Sequence, residues 1–108
     1  MYQEVKFMDK LDRAINNNMR NESFCVEDLN TLLYLSNSQI FRKTKQKTGL
    51  SPSNYIKMKR LEEATKLIQQ TDLGISQIAY QVGFNSVSYF SRCFSEVHGY
   101  PPSDLRRK

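Results

Sequence analysis

One pattern occurs twice in this chain, at a separation of fifty residues. Residues 36–55 read SNSQIFRKTKQKTGLSPSNY and residues 86–105 read SVSYFSRCFSEVHGYPPSDL, with six identities in twenty positions, among them a glycine and a proline. The apolar residues upstream also recur, with a one-residue slip: Val26, Leu29, Leu33 and Leu35 correspond to Ile75, Ile78, Val82 and Phe84. Such a period predicts two copies of one supersecondary unit of roughly 45 residues. Because a core of that size rarely suffices alone, we expect the two copies to share apolar surface.

The apolar spacing is helical throughout, which predicts an all-α fold. A first helix is expected near 5–20, with Met8, Leu11, Ile15 and Met19 on one face. Short helices are expected at about 26–33 and 75–82, each followed by a turn and a longer helix that begins after Ser36 or Ser86 and ends before a glycine. Ser51 and Pro52 predict the start of a helix of some 19 residues, about 28 Å long, and a short helix follows Pro101. Together, these start and stop signals predict about seven helices.

A short helix, a tight turn and a longer helix, stated twice, are typical of two helix-turn-helix units. We expect subdomains at 5–50 and 72–108, joined by a linker helix at 51–71 within one domain of 1–108. A linker of that length could place the two second helices about one DNA turn, roughly 34 Å, apart.

The outward faces of the two second helices match. A helical wheel puts Ile40, Thr44 and Lys47 toward the core of the first copy, and Phe90, Cys93, Phe94 and Val97 toward the core of the second. It turns Ser38, Arg42 and Lys45 outward in the first copy and Ser88, Arg92 and Ser95 outward in the second. Small polar residues beside an arginine suit the floor of a DNA major groove, where a guanidinium can bond both acceptors of guanine. The alternative interpretation is an ordinary solvated face, and the repetition at one register favours the groove.

Positive charge is concentrated in the first half of the repeat. The net charge is +5, and residues 30–60 contain seven lysines and arginines and no acid. This run covers the first candidate recognition helix and the start of the long helix, which predicts a track for phosphates. A basic helical module that binds an acidic protein is the alternative function.

The sequence offers no starting point for catalysis. It has one histidine, His98, and two cysteines, Cys25 and Cys93, outside any metal-binding or disulfide spacing. We therefore predict no enzymatic activity, no catalytic residue, no metal and no cofactor. No membrane-length apolar run or signal peptide is evident, so we expect a cytoplasmic protein without membrane contact by this domain.

The stretches ISQIAYQVGFNSVSYFSRCF, the following Gly99-x-x-Pro102 and RKTKQKTGLSPSNYI resemble the DNA-binding domain of the AraC/XylS family of bacterial transcription regulators. The resemblance runs from about Phe7 to Arg107 and implies a homeodomain-like fold of seven helices. It implies base contacts by Ser38, Phe41, Arg42, Val87, Ser88, Tyr89, Ser91 and Arg92. Phosphate contacts are predicted for Asn37, Gln39, Lys43, Lys45, Lys47, Lys57, Arg60 and Ser86. For Phe41, contact with a thymine methyl and closure of the core edge are equally open.

The resemblance also implies partners beyond double-stranded promoter DNA. These are RNA polymerase and a sensory or receiver domain of a parent protein, which could be a two-component response regulator. The first copy departs from the family at Asn30 and Tyr34 in its turn, at Thr44 in its core and at Cys25 in its first cap. We therefore expect the first copy to be the less stable half.

Overall fold

A computed structural model describes residues 2–107, with side chains from residue 6 to residue 106. These residues form seven helices and no strand, which confirms the predicted all-α class. The helices are α1 (Tyr2–Asn17), α2 (Val26–Leu33), α3 (Asn37–Thr48), α4 (Pro52–Gln70), α5 (Ile75–Gln81), α6 (Val87–His98) and α7 (Pro102–Arg107). The first helix differs from its predicted limits, because it begins at Tyr2 and ends before Met19, which is nevertheless buried.

The repeated caps are formed as the sequence predicts. The Ser36 hydroxyl accepts from the Gln39 amide at 3.2 Å, and Oε1 of Gln39 accepts from the Ser36 amide at 2.9 Å. In the second copy the Ser86 hydroxyl accepts from the Tyr89 amide at 3.2 Å. Both longer helices end at a glycine with positive φ, 77° at Gly49 and 82° at Gly99. Local hydrogen bonds thus set the same start and end for α3 and α6.

The described residues divide into two compact units. Unit 1 comprises residues 2–18 and 23–59, and unit 2 comprises residues 19–22 and 60–107. The boundary between the two units lies inside α4, the helix that the sequence predicts as a linker at 51–71. The reason is the burial of α4 side chains on both sides of that boundary, from Tyr55 and Ile56 in unit 1 to Leu61, Ala64 and Ile68 in unit 2.

The turn between α2 and α3 in unit 1 contains an unusual backbone position. Tyr34 has φ of 55° and ψ of 43°, the only positive φ outside glycine in the described chain. Left-handed backbone is strained for a side chain of this kind. Asn30 stabilises this strained turn through two hydrogen bonds to Leu35. Its side-chain Nδ2 donates to the Leu35 carbonyl at 2.9 Å, and its backbone carbonyl accepts from the Leu35 amide at 3.3 Å.

The core of unit 1 contains one polar side chain at a central position. Thr44 of α3 is fully buried, and its hydroxyl has no hydrogen-bond partner within the described chain. In unit 2 the same register holds Phe94, whose ring lies 6.0 Å from that of Phe90. An unpaired buried hydroxyl in place of a large ring leaves unit 1 with the weaker core, which supports the expectation that it is the less stable half.

Replacing Thr44 with valine is expected to raise the free energy of unfolding of unit 1 by about 1 kcal/mol, because an isosteric methyl removes an unpaired buried hydroxyl. Hydrogen exchange should slow across residues 26–48 and stay unchanged across residues 75–98. Thr48→Val is the matched control, since the Thr48 hydroxyl donates to the Thr44 carbonyl at 2.7 Å. Faster exchange in the Thr44 variant would show that its hydroxyl has a partner in solution.

The predicted buried faces hold except in the last turn of each longer helix. Ile40 and Thr44 are buried in α3, and Phe90, Cys93 and Phe94 are buried in α6. The prediction was wrong for Val97, which is 61% exposed, and for Lys47, which is also exposed. Both follow the last buried residue of their helix. A helical wheel gives the direction of a side chain but not the length over which a neighbouring element covers it.

Candidate nucleic-acid interface

The outward face of α3 has the composition that the sequence predicts. Ser38, Arg42 and Lys45 are exposed, on the side opposite the buried Ile40 and Thr44. Asn37, in the first turn, is exposed as well. The serine hydroxyl is short enough to let a helix backbone approach base edges, and the guanidinium can reach further into a groove. This face presents one donor fork and two small or flexible polar groups to solvent.

One flank of this face is apolar. Phe41 is 52% exposed and contributes to a cavity of about 490 Å³ that opens between the starts of α2, α3 and α4. The cavity is lined by Val26, Asn37, Ser38, Phe41, Ser51, Pro52 and Ser53. The concave surface beside the α3 face is therefore largely hydrocarbon.

The opposite flank of α3 is basic. Lys43 is half-buried, and its Nζ lies 5.9 Å from the centroid of the Phe7 ring in α1. A cavity of about 200 Å³ is lined by Lys6, Phe7, Lys10, Leu33, Leu35 and Lys43, and a smaller one beside it adds Gln46 and Lys47. We call these residues the lysine-rimmed pocket. Lys43 and Lys47, predicted to contact phosphates, thus line a surface toward α1 and not the outward face of α3.

The outward face of α6 is built from stacked side chains. Ser88, Tyr89 and Arg92 are exposed, and Val87 and Ser91 are half-buried beside them. The Arg92 guanidinium carbon lies 5.2 Å from the centroid of the Tyr89 ring, which itself lies 5.9 Å from the ring of the buried Phe84. A guanidinium over an aromatic face loses fewer conformations when it binds a ligand. The helical wheel turns Arg92 outward and the resemblance implies a base contact by Tyr89, but neither predicts the stack.

Gln39 occupies in α3 the position that Tyr89 occupies in α6. Its Oε1 accepts from the Ser36 amide and lies 3.2 Å from the Ser36 hydroxyl, so this oxygen is engaged in the cap. Its side-chain amide nitrogen, Nε2, is the group that remains to donate to a phosphate, and Arg42 has no aromatic neighbour at this register. The capping box in the sequence, with Gln39 three residues after Ser36, predicts that the Gln39 side chain bonds the Ser36 amide.

Arg60 has a structural role in unit 2. Its Nη2 donates to the Asn21 carbonyl at 3.0 Å, and its Nε is buried without a partner in the described chain. Burial lowers the pKa of this guanidinium. Arg60, which is predicted to contact a phosphate, thus also contacts the segment that follows α1. The Lys57 side chain is half-buried, and Nζ of Lys59 lies 3.9 Å from Oδ1 of Asp12.

The described residues contain no group of three or more histidine, cysteine, aspartate or glutamate side chains placed to hold a metal ion. Cys25 is an exposed thiol at the N-cap of α2, where a hydrogen bond to Glu27 raises its pKa. His98 packs 4.2 Å from the Phe94 ring, at the end of α6. Between residues 2 and 107, every helix is too short or too polar to span a lipid bilayer.

Two units of this kind, each with an exposed polar helix capped at the same register, define a helix-turn-helix protein. A family model described as a helix-turn-helix domain matches residues 29–108. The chain belongs to the AraC/XylS family and corresponds to the DNA-binding domain of its transcription regulators. The matched domain is the DNA-binding part of transcription regulators, in agreement with the sequence prediction that it is not an enzyme.

Individual relatives support this assignment. The chain is 35% identical over 105 residues to "Histidine kinase P4" of Formosa agariphila, covering 97% of this chain and 8% of the kinase. It is 37% identical over 102 residues to the "Transcriptional activator RhrA" of Rhizobium meliloti, covering 93% of this chain and 32% of the activator. The chain therefore spans only a small part of these curated relatives.

Solved structures share the fold over nearly the whole chain. An AraC-type transcriptional regulator from Chromobacterium violaceum superimposes with a TM-score of 0.89 at 27% identity, covering 99% of this chain and 95% of that one. The C-terminal domain of the two-component response regulator yesN from Fusobacterium nucleatum gives 0.84 at 28% identity, covering 94% of this chain and 98% of that one. The number and order of helices predicted from the sequence agree with this fold.

Proposed function

We propose that this domain binds a specific double-stranded DNA sequence by placing α3 and α6 in two successive major grooves. The observation that carries the proposal is the repeated face, in which Ser38 and Arg42 of α3 and Ser88 and Arg92 of α6 are all exposed inside matching caps. Helices with short polar residues and one arginine can approach base edges and read guanine through two acceptors. Base contacts by Val87, Tyr89 and Ser91 are part of the same proposal.

We expect the two units to contribute to DNA binding in different ways. The first carries the positive charge, with Lys45 exposed on α3 and Lys57 at the start of α4, so it supplies most of the attraction to phosphates. Asn37 and Gln39 at the start of α3 and Ser86 before α6 add neutral donors. The second unit has no net charge over residues 19–22 and 60–107, with six basic and six acidic side chains, and depends on a preorganised Arg92 and on shape.

The biological setting is proposed from the relatives. One of them is named a transcriptional activator, one is a response regulator and one is a histidine kinase, and the chain spans a small part of the two curated ones. We propose that the domain is the DNA-binding part of a longer cytoplasmic regulator with a receiver or other sensory module. It would act on transcription initiation at promoters, in contact with RNA polymerase.

Replacing Arg42 or Arg92 with alanine is expected to cost about 1–3 kcal/mol of binding free energy on the preferred DNA and little on random DNA. The preferred DNA is first selected from a random duplex library, and affinities are then measured by fluorescence anisotropy. Lys57→Ala is the matched control, because loss of a phosphate contact should weaken specific and random DNA alike. If both arginine variants lose equal affinity on the two DNAs, their role in reading bases is excluded.

The lysine-rimmed pocket favours a second candidate function, the binding of an acidic protein segment. Its lining combines the apolar side chains of Phe7, Leu33 and Leu35 with three lysines, Lys6, Lys10 and Lys43. Such a surface suits a partner with carboxylates around a large apolar side chain. The library selection separates the two functions, since a module for an acidic protein alone would enrich no DNA sequence.

A further inference from the structure

We infer that unit 1 recognises a thymine through its C5-methyl group and that Phe41 provides the apolar contact. The inference rests on the proposed function, since it names the base that one flank of α3 takes. It commits to a particular chemical feature of the DNA, a single methyl group in the major groove. A site of this kind determines sequence preference without a hydrogen bond.

The exposure of Phe41 requires an explanation outside the core. Full burial of a phenylalanine side chain contributes about 1.5–3 kcal/mol, and a side chain that stays 52% exposed forgoes much of this. The fold does not need an aromatic residue here, because α6 has the same limits and caps with the half-buried Ser91 at this register. Phe41 is therefore a feature of the surface of unit 1 and not of the architecture that both units share.

The neighbours of Phe41 extend its apolar surface. Val26 at the start of α2 and the buried Pro52 at the start of α4 line the same cavity of about 490 Å³. Ser38 and Asn37 form its border with the outward face of α3. The lining of the cavity is thus mainly hydrocarbon, with polar groups from Asn37 and Ser38 on one side and from Ser51 and Ser53 on another.

Thymine is the base that fits this chemistry. The edges of the four bases present hydrogen-bond donors and acceptors in the major groove, and the C5-methyl of thymine is the apolar group among them. A phenyl ring pressed on a donor or acceptor would remove water without replacing its hydrogen bond, which costs free energy. Pressed on a methyl group, the same ring gains by burial of both surfaces.

The position of the thymine follows from the helix. Arg42 is the next residue of α3 and is exposed, so the two side chains reach adjacent parts of the same groove. Residues about three apart on a recognition helix contact successive base pairs, and Phe41 and Arg42 lie within that span. We therefore expect the thymine within about one or two base pairs of the guanine that depends on Arg42.

The test is removal of the methyl group alone. In the DNA selected by the wild-type domain, each thymine is replaced in turn by deoxyuridine, which keeps every hydrogen-bonding group. The wild-type domain should lose affinity about fourfold at one thymine near the Arg42-dependent guanine, the factor that matches burial of one methyl group. Phe41→Ser, which introduces the residue of the second copy, should bind the two DNAs equally well at that position, whereas Phe41→Leu should keep part of the preference.

The outcomes separate the inference from the function on which it rests. A selected sequence without such a thymine, equal wild-type binding of thymine and deoxyuridine at every position, or an unchanged penalty in Phe41→Ser would each overturn the methyl contact while specific DNA binding stands. Failure to select any sequence would instead overturn the proposed function. Thermal unfolding of both variants confirms that they are folded, which we expect because Phe41 is half exposed.

Discussion

Replacing Gly83 with alanine is expected to lower the free energy of unfolding of unit 2 by on the order of 4 kcal/mol, which places it among the most damaging single substitutions. Gly83 has φ of 98°, a conformation that is strained for any residue with a Cβ atom. A Cβ added here would lie 2.2 Å from the Met19 carbonyl oxygen and 2.7 Å from Nε of Arg60. One of these contacts is backbone, so the collision cannot be relieved by a side-chain rotation.

The surroundings of Gly83 make a shift difficult. The segment 19–22 packs within unit 2, where Met19 is 9% exposed and the Asn21 carbonyl accepts from Nη2 of Arg60. Nε of Arg60 is already buried without a partner in the described chain, and displacing the half-buried guanidinium would also break its hydrogen bond to the Asn21 carbonyl. The glycine therefore allows the turn before α6 to lie directly against the chain that follows α1.

Gly99→Ala is the matched control for this prediction. Gly99 has a similar positive φ of 82°, but an added Cβ would meet nothing within 4 Å. It should therefore cost only about 1–2 kcal/mol, the strain of a left-handed alanine. Urea unfolding, followed by the helical circular dichroism signal, measures both variants. Equal losses would show that backbone strain alone matters and that the close approach of Met19 is not maintained in solution.

The ends of the helices could be predicted because their causes are local. Ser36 and Ser86 each cap the helix that directly follows them. Gly49 and Gly99 end those helices, and the amide of each glycine donates to the carbonyl of the residue four positions earlier. A capping signal needs no knowledge of the tertiary structure. The same reasoning holds for α4, which starts at Pro52 with the Ser51 hydroxyl accepting from the Asn54 amide at 3.3 Å.

The roles of long side chains could not be predicted in the same way. The basic run predicts phosphate contacts for Arg60 and Lys43, but it does not predict that Arg60 bonds the Asn21 carbonyl or that Lys43 lies over the Phe7 ring. Asn21 lies 39 residues before Arg60 in the sequence, and Phe7 lies 36 residues before Lys43. A charge run gives the sum of charges, whereas the direction of each side chain depends on elements that pack beside it.

The exposed faces of α3 and α6 that are proposed to contact bases could be predicted only in part. Helical periodicity placed Ser38, Arg42, Ser88 and Arg92 on the exposed side correctly, because alternation of buried and exposed positions follows from the helix itself. It could not show that Arg92 lies on Tyr89, or that Phe41 borders a cavity with Val26 and Pro52. These contacts involve side-chain rotamers and residues from other helices, which periodicity does not contain.

Replacing Arg106 with alanine is expected to destabilise unit 2 by roughly 3 kcal/mol, because it removes the donor group that serves the C-terminal end of α4. The last carbonyls of a helix have no partner within it. Here the Arg106 guanidinium donates to the Ile68 carbonyl at 3.3 Å from Nη2, to the Thr71 carbonyl at 3.0 Å and, through Nη1, to the Leu73 carbonyl. Its positive charge also complements the negative end of the helix dipole.

The geometry of the fork, and not only its charge, carries this effect. Three carbonyls on a turn are met by one planar group with several N–H donors, which a lysine ammonium on a single flexible stem cannot reproduce. Arg106→Lys should therefore recover less than half of the loss, and Arg106→Met, which keeps the hydrocarbon stem, should recover little. Thermal unfolding measures the three variants, and hydrogen exchange at residues 68–74 reports the end of α4 directly. Full recovery by lysine would show that charge at the helix end suffices, and α7 would then hold α4 by electrostatics alone.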